Sequence, residues 1–408
     1  MKNYLLAHVC IRRYRIVSLF PNYMRQEVTF VKGDGALLWD DTGKTYLDFG
    51  SGIGVTNLGH CHPKMTNALL EQANHLWHVS NLFPIPLQIE VADMLCEYSG
   101  LGAAFFCNSG AEANEAAIKL ARKWANEVKE ISNPEIITFE GSFHGRTLAT
   151  LTATGQNKVK TGFDPLPQGF RTTSLQNIRA LKQMTNPQTA GILLELVQGE
   201  GGVQPASFAF MHDLADWCQE KDILLMVDEV QTGIGRTGEI FAFQHYGIQP
   251  DVVTVAKGLG NGFPIGAMIA KDKLKPVMGP GTHGTTFGGN PLAMAVAKAV
   301  LTEINKHGLL QEAKKKGAFL LDRLTEELAN FSISEDIRGL GLMVGIKLTK
   351  PVLPIIESLL KNGLVTLPAG EKVLRLLPPL VVTFDQIEQA VSLIKAVLTS
   401  TSMKVHLG

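Results

Sequence analysis

The chain has 408 residues, 45% hydrophobic and 19% charged, with 38 Lys plus Arg against 38 Asp plus Glu. A balanced chain of this size can bury a large core, and it carries no electrostatic footprint for nucleic acid or an anionic membrane. Its length exceeds one ordinary domain, so a large α/β domain with a smaller companion is expected. The cysteines Cys10, Cys61, Cys96, Cys107 and Cys218 are odd in number, scattered and without CxxC spacing. That pattern points to reduced thiols in the cytoplasm rather than a disulfide framework.

The first 18 residues hold one weakly apolar stretch followed by Arg12, Arg13 and Arg15. A secretory signal places its charge before the apolar region, so this segment reads as a loosely held extension. Residues 27–49 alternate apolar and polar side chains around Asp41-Thr42-Gly43-Lys44, which predicts short strands about a turn. The Gly43-Lys44-Thr45 triplet is not a phosphate loop, because that motif needs glycine at position 38 and Leu38 stands there. From about residue 60 to 290, apolar runs alternate with amphipathic stretches. The runs are AAFFC (103–107), EIITF (135–139), GILLEL (191–196), ILLMV (223–227) and DVVTV (251–255). Continuous apolar strands between helices predict a mostly parallel sheet covered on both faces, hence α/β. None of these runs is long enough to span a bilayer. Asn290-Pro291 predicts a helix start and Gly308 its close. A smaller α+β region follows, with RGLGLMVGIKL as one strand and a closing helix from about Asp385.

Ligands of open α/β sheets bind beyond the carboxyl ends of the strands. ILLMV runs into Asp228, DVVTV into Ala256-Lys257, and AAFFC into Asn108-Ser109-Gly110, while Glu195 lies near the end of GILLEL. An ionised carboxylate at the rim of a core needs a partner. Asp228 therefore predicts a cation, and Lys257 an anion or a covalent adduct. A plain ion pair between the two is the bland alternative. Ser109-Gly110-Ala111 leads into a helix, whose free N–H groups and dipole favour a phosphate. The glycine-rich loop GTHGTTFGGNP (281–291) offers the Thr285 and Thr286 hydroxyls before another helix. An amine, a carboxylate and two phosphate-competent loops together suit a phosphorylated pyridine aldehyde. His60-Cys61-His62 is not read as a metal site, because a zinc site needs three or four convergent ligands and no second cluster follows.

Seven stretches resemble class III (subgroup II) aminotransferases of the acetylornithine/ornithine type: GHCHP, FFCNSGAEANEAAIKLARK, GSFHGRT, LVQGEGGV, LLMVDEVQTGIGRTG, DVVTVAKGLGNGFPIGAM and HGTTFGGNPLA. The resemblance runs from about Leu19 to Val397. It implies a type I fold for enzymes dependent on pyridoxal 5'-phosphate (PLP). The implied division is an extension over 1–18, a segment 19–60 packing with the small domain, a large PLP-binding domain 61–290, and a linking helix with the small domain over 291–408. Lys257 would hold the cofactor covalently and carry the proton, and Asp228 would keep the pyridine nitrogen protonated. The resemblance further implies Gln231 near the phenolic oxygen, Phe143 stacked on the ring, and Ser109, Gly110 and Ala111 on the phosphate. Thr286 would reach the phosphate of a neighbouring subunit, which implies a homodimer with shared sites.

For substrate, the resemblance implies that Arg146 binds a carboxylate by two parallel hydrogen bonds. Arg375 and Glu195 would form a switching pair: Arg375 takes the α-carboxylate of glutamate or 2-oxoglutarate, and Glu195 neutralises it when an amine substrate is bound. Tyr23 would lie near the substrate opening. Relatives acting on free ornithine carry Tyr where this chain has Ile53. A site lacking that hydroxyl penalises a free α-amino group by about 1–3 kcal/mol. The implied activity is transfer of the δ-amino group of N2-acetylornithine to 2-oxoglutarate, in arginine biosynthesis. Ornithine, succinylornithine or 4-aminobutyrate transamination, or an aminomutase on the same scaffold, are the alternatives.

Overall fold

The computed structural model describes residues 10–11, 14–15, 18–306 and 308–403. The extension expected over residues 1–18 falls mainly outside the described residues, apart from a two-residue ladder pairing Cys10–Ile11 with Tyr14–Arg15.

The central sheet has seven strands: β1 (Ala103–Cys107), β2 (Glu135–Phe139), β3 (Phe170–Thr173), β4 (Thr189–Leu194), β5 (Leu224–Asp228), β6 (Val252–Val255) and β7 (Gly266–Ala270). Their spatial order is β1-β7-β6-β5-β4-β2-β3. β7 pairs antiparallel with β1 and β6, and the remaining pairs are parallel. Every residue of β4, β5, β6 and β7 is buried. Successive side chains of a strand point to opposite faces, and the two faces feed separate cores. Ile192, Leu194, Leu225 and Val227 enter one, whereas Leu193, Leu224 and Met226 enter the other. The second core lies under the helix Gly110–Glu127, which buries Ala113, Ala117, Ala121 and Trp124. This is the α/β class expected. β3 and β7 did not stand out in the sequence: FRTT is polar and GAMIA is short and follows a glycine-rich loop.

Two smaller sheets flank the central one. Phe30–Asp34, Leu37–Asp40 and Thr45–Asp48 form an antiparallel ladder, and Leu364–Val365 adds to Thr45–Asp48 in parallel. Ser334–Leu340, Met343–Leu348, Val373–Leu376 and Leu367–Pro368 form the other. The expected single strand over RGLGLMVGIKL is instead part of a hairpin, because Gly341 turns the chain with φ +56°. The helix Pro291–Asn305 begins as expected, with Asn290 Oδ1 accepting from Ala293 N at 2.9 Å. It ends before Gly308, however, and Gly308 caps the start of the next helix, Leu309–Leu328. The closing helix Phe384–Met403 is preceded by Thr383, whose hydroxyl and N–H exchange hydrogen bonds with Gln386. No helix among the described residues is long and apolar enough to cross a membrane.

Candidate active site

A cavity of about 390 Å³ opens at the carboxyl rim of the central sheet. Its walls include Ser109, Gly110, Ala111, Phe143, Arg146, Glu195, Asp228, Gln231 and Lys257. Nine of the residues singled out in the sequence thus converge on one space. Four others lie outside that wall: Thr286 is exposed, Tyr23 is 70% exposed, Ile53 is 45% exposed, and Arg375 is buried and bonded to Gln231 of the wall.

Asp228 is the last residue of β5 and is buried. Its Oδ2 sits 2.8 Å from both Asn114 Nδ2 and His144 Nδ1, and its Oδ1 accepts from Val230 N at 3.0 Å. An ionised carboxylate only accepts, so His144 must carry its proton on Nδ1. Asn114 is in turn fixed by Thr254, whose hydroxyl donates to Asn114 Oδ1 at 2.7 Å. All four side chains are buried. The sequence reading missed His144 and Asn114. His144 sits inside the quoted GSFHGRT stretch, and Asn114 lies one helical turn past Gly110, on the face turned toward the sheet.

Lys257 follows β6 and opens a 3-10 turn with φ +41°, a left-handed backbone that bulky residues avoid. Burial, aided by the nearby Arg375 charge, lowers its amine to about 8. Gly258 is obligatory beside it, since a Cβ there would lie 2.3 Å from Asn57 Nδ2.

Ser109 caps the helix Gly110–Glu127, its Oγ accepting from Glu112 N at 3.2 Å. The Glu112 carboxylate bonds Asn108 N and Ser109 Oγ, and Glu115 accepts from Thr147 and Thr150. The N–H groups of Gly110 and Ala111 have no intrahelical acceptor, as at any helix start, and both residues line the cavity.

Arg375 corrects one expectation. It is buried, but its carboxylate partner is Glu200, at 2.6 Å from Nη1, not Glu195. The same Nη1 donates to Gln231 Oε1 at 3.0 Å. Glu195 instead accepts from Phe143 N at 2.9 Å and Gly199 N at 3.3 Å, so two backbone groups already hold its oxygens. Burial raises the Glu195 carboxyl well above the usual carboxylate range. Glu200 lay within the quoted LVQGEGGV. Only the fold shows that Glu200, and not Glu195 just before that stretch, faces residue 375. Arg146, at the rim, lies 5.5 Å over the Phe143 ring.

His60 and His62 have local duties: His60 Nε2 is 2.7 Å from Asp48 Oδ2, and His62 caps the helix Pro63–Ala73. Cys61, Cys96, Cys107 and Cys218 are free thiols.

A lysine and an aspartate leaving adjacent strands beside a helix-start anion cradle make this a transaminase type of α/β site, not a nucleotide-binding one. The class-III aminotransferase family matches residues 21–398, and the chain belongs to that family. It is 54% identical over 385 residues to the acetylornithine aminotransferase of Halalkalibacterium halodurans, covering 94% of this chain and 99% of that one. The acetylornithine aminotransferase of Bacillus anthracis is 51% identical, with 96% of this chain and 100% of the relative covered. Among solved structures, the ornithine aminotransferase of Toxoplasma gondii superposes with a TM-score of 0.92 at 33% identity, covering 97% of this chain and 94% of that one. The N-acetylornithine aminotransferase of Stenotrophomonas maltophilia gives 0.82 at 36% identity, covering 94% and 98%.

The donor set fits PLP, the group this family implies. One primary amine, one buried carboxylate held by three hydrogen bonds, and a helix start with free N–H groups share a single cavity.

Proposed function

We propose that this chain transfers the δ-amino group of N2-acetylornithine to 2-oxoglutarate with PLP as cofactor, yielding N-acetylglutamate 5-semialdehyde and glutamate. The observation that carries the reading is Arg375. It is a buried cation beside the cavity, already neutralised by a carboxylate that is itself partly exposed. A site built for one diacid has no use for that carboxylate, whereas a site alternating between a diacid and an amine does. Relatives about half identical over their full length, named as acetylornithine aminotransferases, support the choice of amine.

PLP, when bound, supplies an electron sink for the electrons left after proton removal. Asp228 would hold positive charge on the ring nitrogen, and Asn114 and His144 keep that carboxylate aimed. The Lys257 amine, lowered toward neutral pH, moves the proton from the substrate carbon bearing the transferred nitrogen. Ser109, Gly110 and Ala111 would take the phosphate, and Phe143 would support the ring. Arg146 grips a carboxylate common to both substrates. Arg375 leaves Glu200 to grip the second carboxylate of 2-oxoglutarate, and returns to it when the amine is bound. Atoms balance as an exchange of one amino group for one oxo group, in two half-reactions.

The working form is a homodimer in which Thr286 reaches the partner's site. Trp77, Leu82, Phe83 and Phe287 are each more than half exposed on neighbouring loops, an apolar surface suited to a second copy. Free thiols suit a cytoplasmic enzyme of arginine biosynthesis.

The test is the amine half-reaction of the PLP-loaded protein, followed by its absorbance without 2-oxo acid. N-acetylornithine should bleach the spectrum faster than ornithine, succinylornithine or 4-aminobutyrate, with Lys257→Ala as the inactive control. A faster rate with any of the other three would reassign the substrate. Turnover without 2-oxo acid would indicate an aminomutase.

A further inference from the structure

Residues 51–54 form a single left-handed helical turn. Their φ values are +47° at Ser51, +60° at Gly52, +69° at Ile53 and +70° at Gly54. Gly50 O accepts from Ile53 N at 2.9 Å and Gly54 N at 3.0 Å, and Ser51 O accepts from Val55 N at 2.7 Å. Such a turn costs free energy at every residue other than glycine, because Cβ crowds the following carbonyl. A β-branched residue at φ +69° is the harshest case. The strain sits beside the active site. Val55 lines the cavity, and a Cβ on Gly54 would lie 3.7 Å from Gln231 Cγ.

Strain of this kind persists only where the surroundings hold it, and here the holding groups are identifiable. The Asp48 carboxylate is buried; its Oδ1 accepts from Gly50 N and Ser51 N at 2.9 Å each, and its Oδ2 is 2.7 Å from His60 Nε2. Ser51 Oγ, also buried, donates to Leu377 O at 2.6 Å, two residues past Arg375. Beyond the turn, Asn57 Nδ2 donates to Ile234 O, and Asn57 Oδ1 accepts from the fully buried Arg236. The turn is therefore tied at its first residues by Asp48 and, through Ser51, to Leu377 just past the Arg375 strand; three residues beyond it, Asn57 is bonded to Ile234 and Arg236 and lies against Gly258, next to Lys257.

We propose that Asp48 is a positioning residue: it holds the strained left-handed turn in place and thereby fixes the cavity wall met by the chain of the amine substrate. The inference rests on the function proposed above only in naming that substrate. A diacid is anchored by two arginines and depends less on wall shape. The acyl-amine has fewer charged anchors and depends on it more. Asp48 itself does not line the cavity.

The experiment is a double-mutant cycle of Asp48→Ala with Ile53→Gly, read by thermal melting of the cofactor-free protein and by steady-state kinetics of the loaded one. Asp48→Ala should lower the melting temperature. It should also raise the KM for N-acetylornithine about tenfold while changing kcat less than about threefold and leaving the KM for 2-oxoglutarate within about twofold. Asp48→Asn retains an oxygen acceptor for Gly50 and Ser51 and should recover most of the KM. Glycine at 53 removes the larger part of the strain that Asp48 holds, leaving only that at Ser51, so Asp48→Ala should have less than about half its effect in that background. Additive melting shifts would overturn the proposal, as would equal falls in kcat/KM for N-acetylornithine and for 2-oxoglutarate. If the wild type fails to use N-acetylornithine, the proposed substrate falls, and the melting cycle alone still decides the role of Asp48.

Discussion

The two ends of the active-site cavity are built on opposite plans. Around Asp228, every side-chain partner is buried and the bonds are between groups fixed in the fold: Asn114 and His144 on one oxygen, the half-buried Val230 N on the other, Thr254 behind Asn114. Around Arg375, the cation is buried, but its counter-charge is not. The Glu200 side chain is 31% exposed and stands between Gly199 and Gly201-Gly202. A carboxylate on a glycine-flanked loop can swing outward without unpacking a core, whereas Asp228 cannot move without dismantling β5. The fixed end serves a task identical in both half-reactions, and the adjustable end serves the task that differs between them.

The same chemical change at each end, carboxylate to amide, separates the two plans. Asp228→Asn removes a charge that nothing nearby can replace. Loss of a preorganised electrostatic contact costs roughly 10²–10³ in rate. Single-turnover measurements should show that loss in the amine and the 2-oxo acid half-reactions alike. A loss confined to one of them would place Asp228 on the substrate rather than at the common centre. Glu200→Gln should be smaller and one-sided. With Arg375 left without its counter-charge, the amine half-reaction should slow about tenfold, matching the difference between a charged and a neutral hydrogen bond. The 2-oxoglutarate half-reaction should hold or improve, since Arg375 no longer has to leave a carboxylate. Equal slowing of both halves would make the pair a static ion pair.

The contrast also marks what could be read from residues alone. Asp228 and Lys257 stood out because a charged residue just beyond an apolar run needs a partner, and only the two phosphate-competent loops set them apart from a plain ion pair. The helix start at Ser109-Gly110 was legible from its capping chemistry. The Arg375 partner was not legible. Glu195 and Glu200 are five residues apart in one stretch, and their directions depend on where β4 stops. The strand ends at Leu194, so the Glu195 carboxyl turns back onto Phe143 N and Gly199 N, and the chain reaches Arg375 only at Glu200. His144 and Asn114 were hidden for another reason. Each is an ordinary polar residue until the helix Gly110–Glu127 docks on β5 and β6 and encloses them. Ile53 was read as a side chain, whereas its most unusual property is its backbone, which no composition or periodicity reports.

The smallest effect concerns Lys257, which stands between the two ends and feels both. Burial and the Arg375 charge lower its amine from 10.5 to about 8, while Glu200, Asp228 and Glu195 pull the other way. Only the neutral amine attacks an aldehyde. The rate at which cofactor-free protein takes up PLP should therefore rise about fivefold from pH 7 to pH 8 and level off above about pH 9, following the neutral fraction of a group with that midpoint. In Glu200→Gln one raising influence is gone, so the midpoint should fall and the rise should shift to lower pH. The sign for stability follows from the same shift. The unfolded lysine holds its proton up to about 10.5 and the folded one only to about 8. Between these values the unfolded state binds more protons, and the cofactor-free protein gains stability as pH rises through that window. Lys257→Met lacks the group, so its stability advantage over the parent should be largest below pH 8 and shrink towards pH 10.5. An uptake rate still climbing steeply at pH 10 would mean an unperturbed amine, and would detach Lys257 from the charges assigned to this cavity.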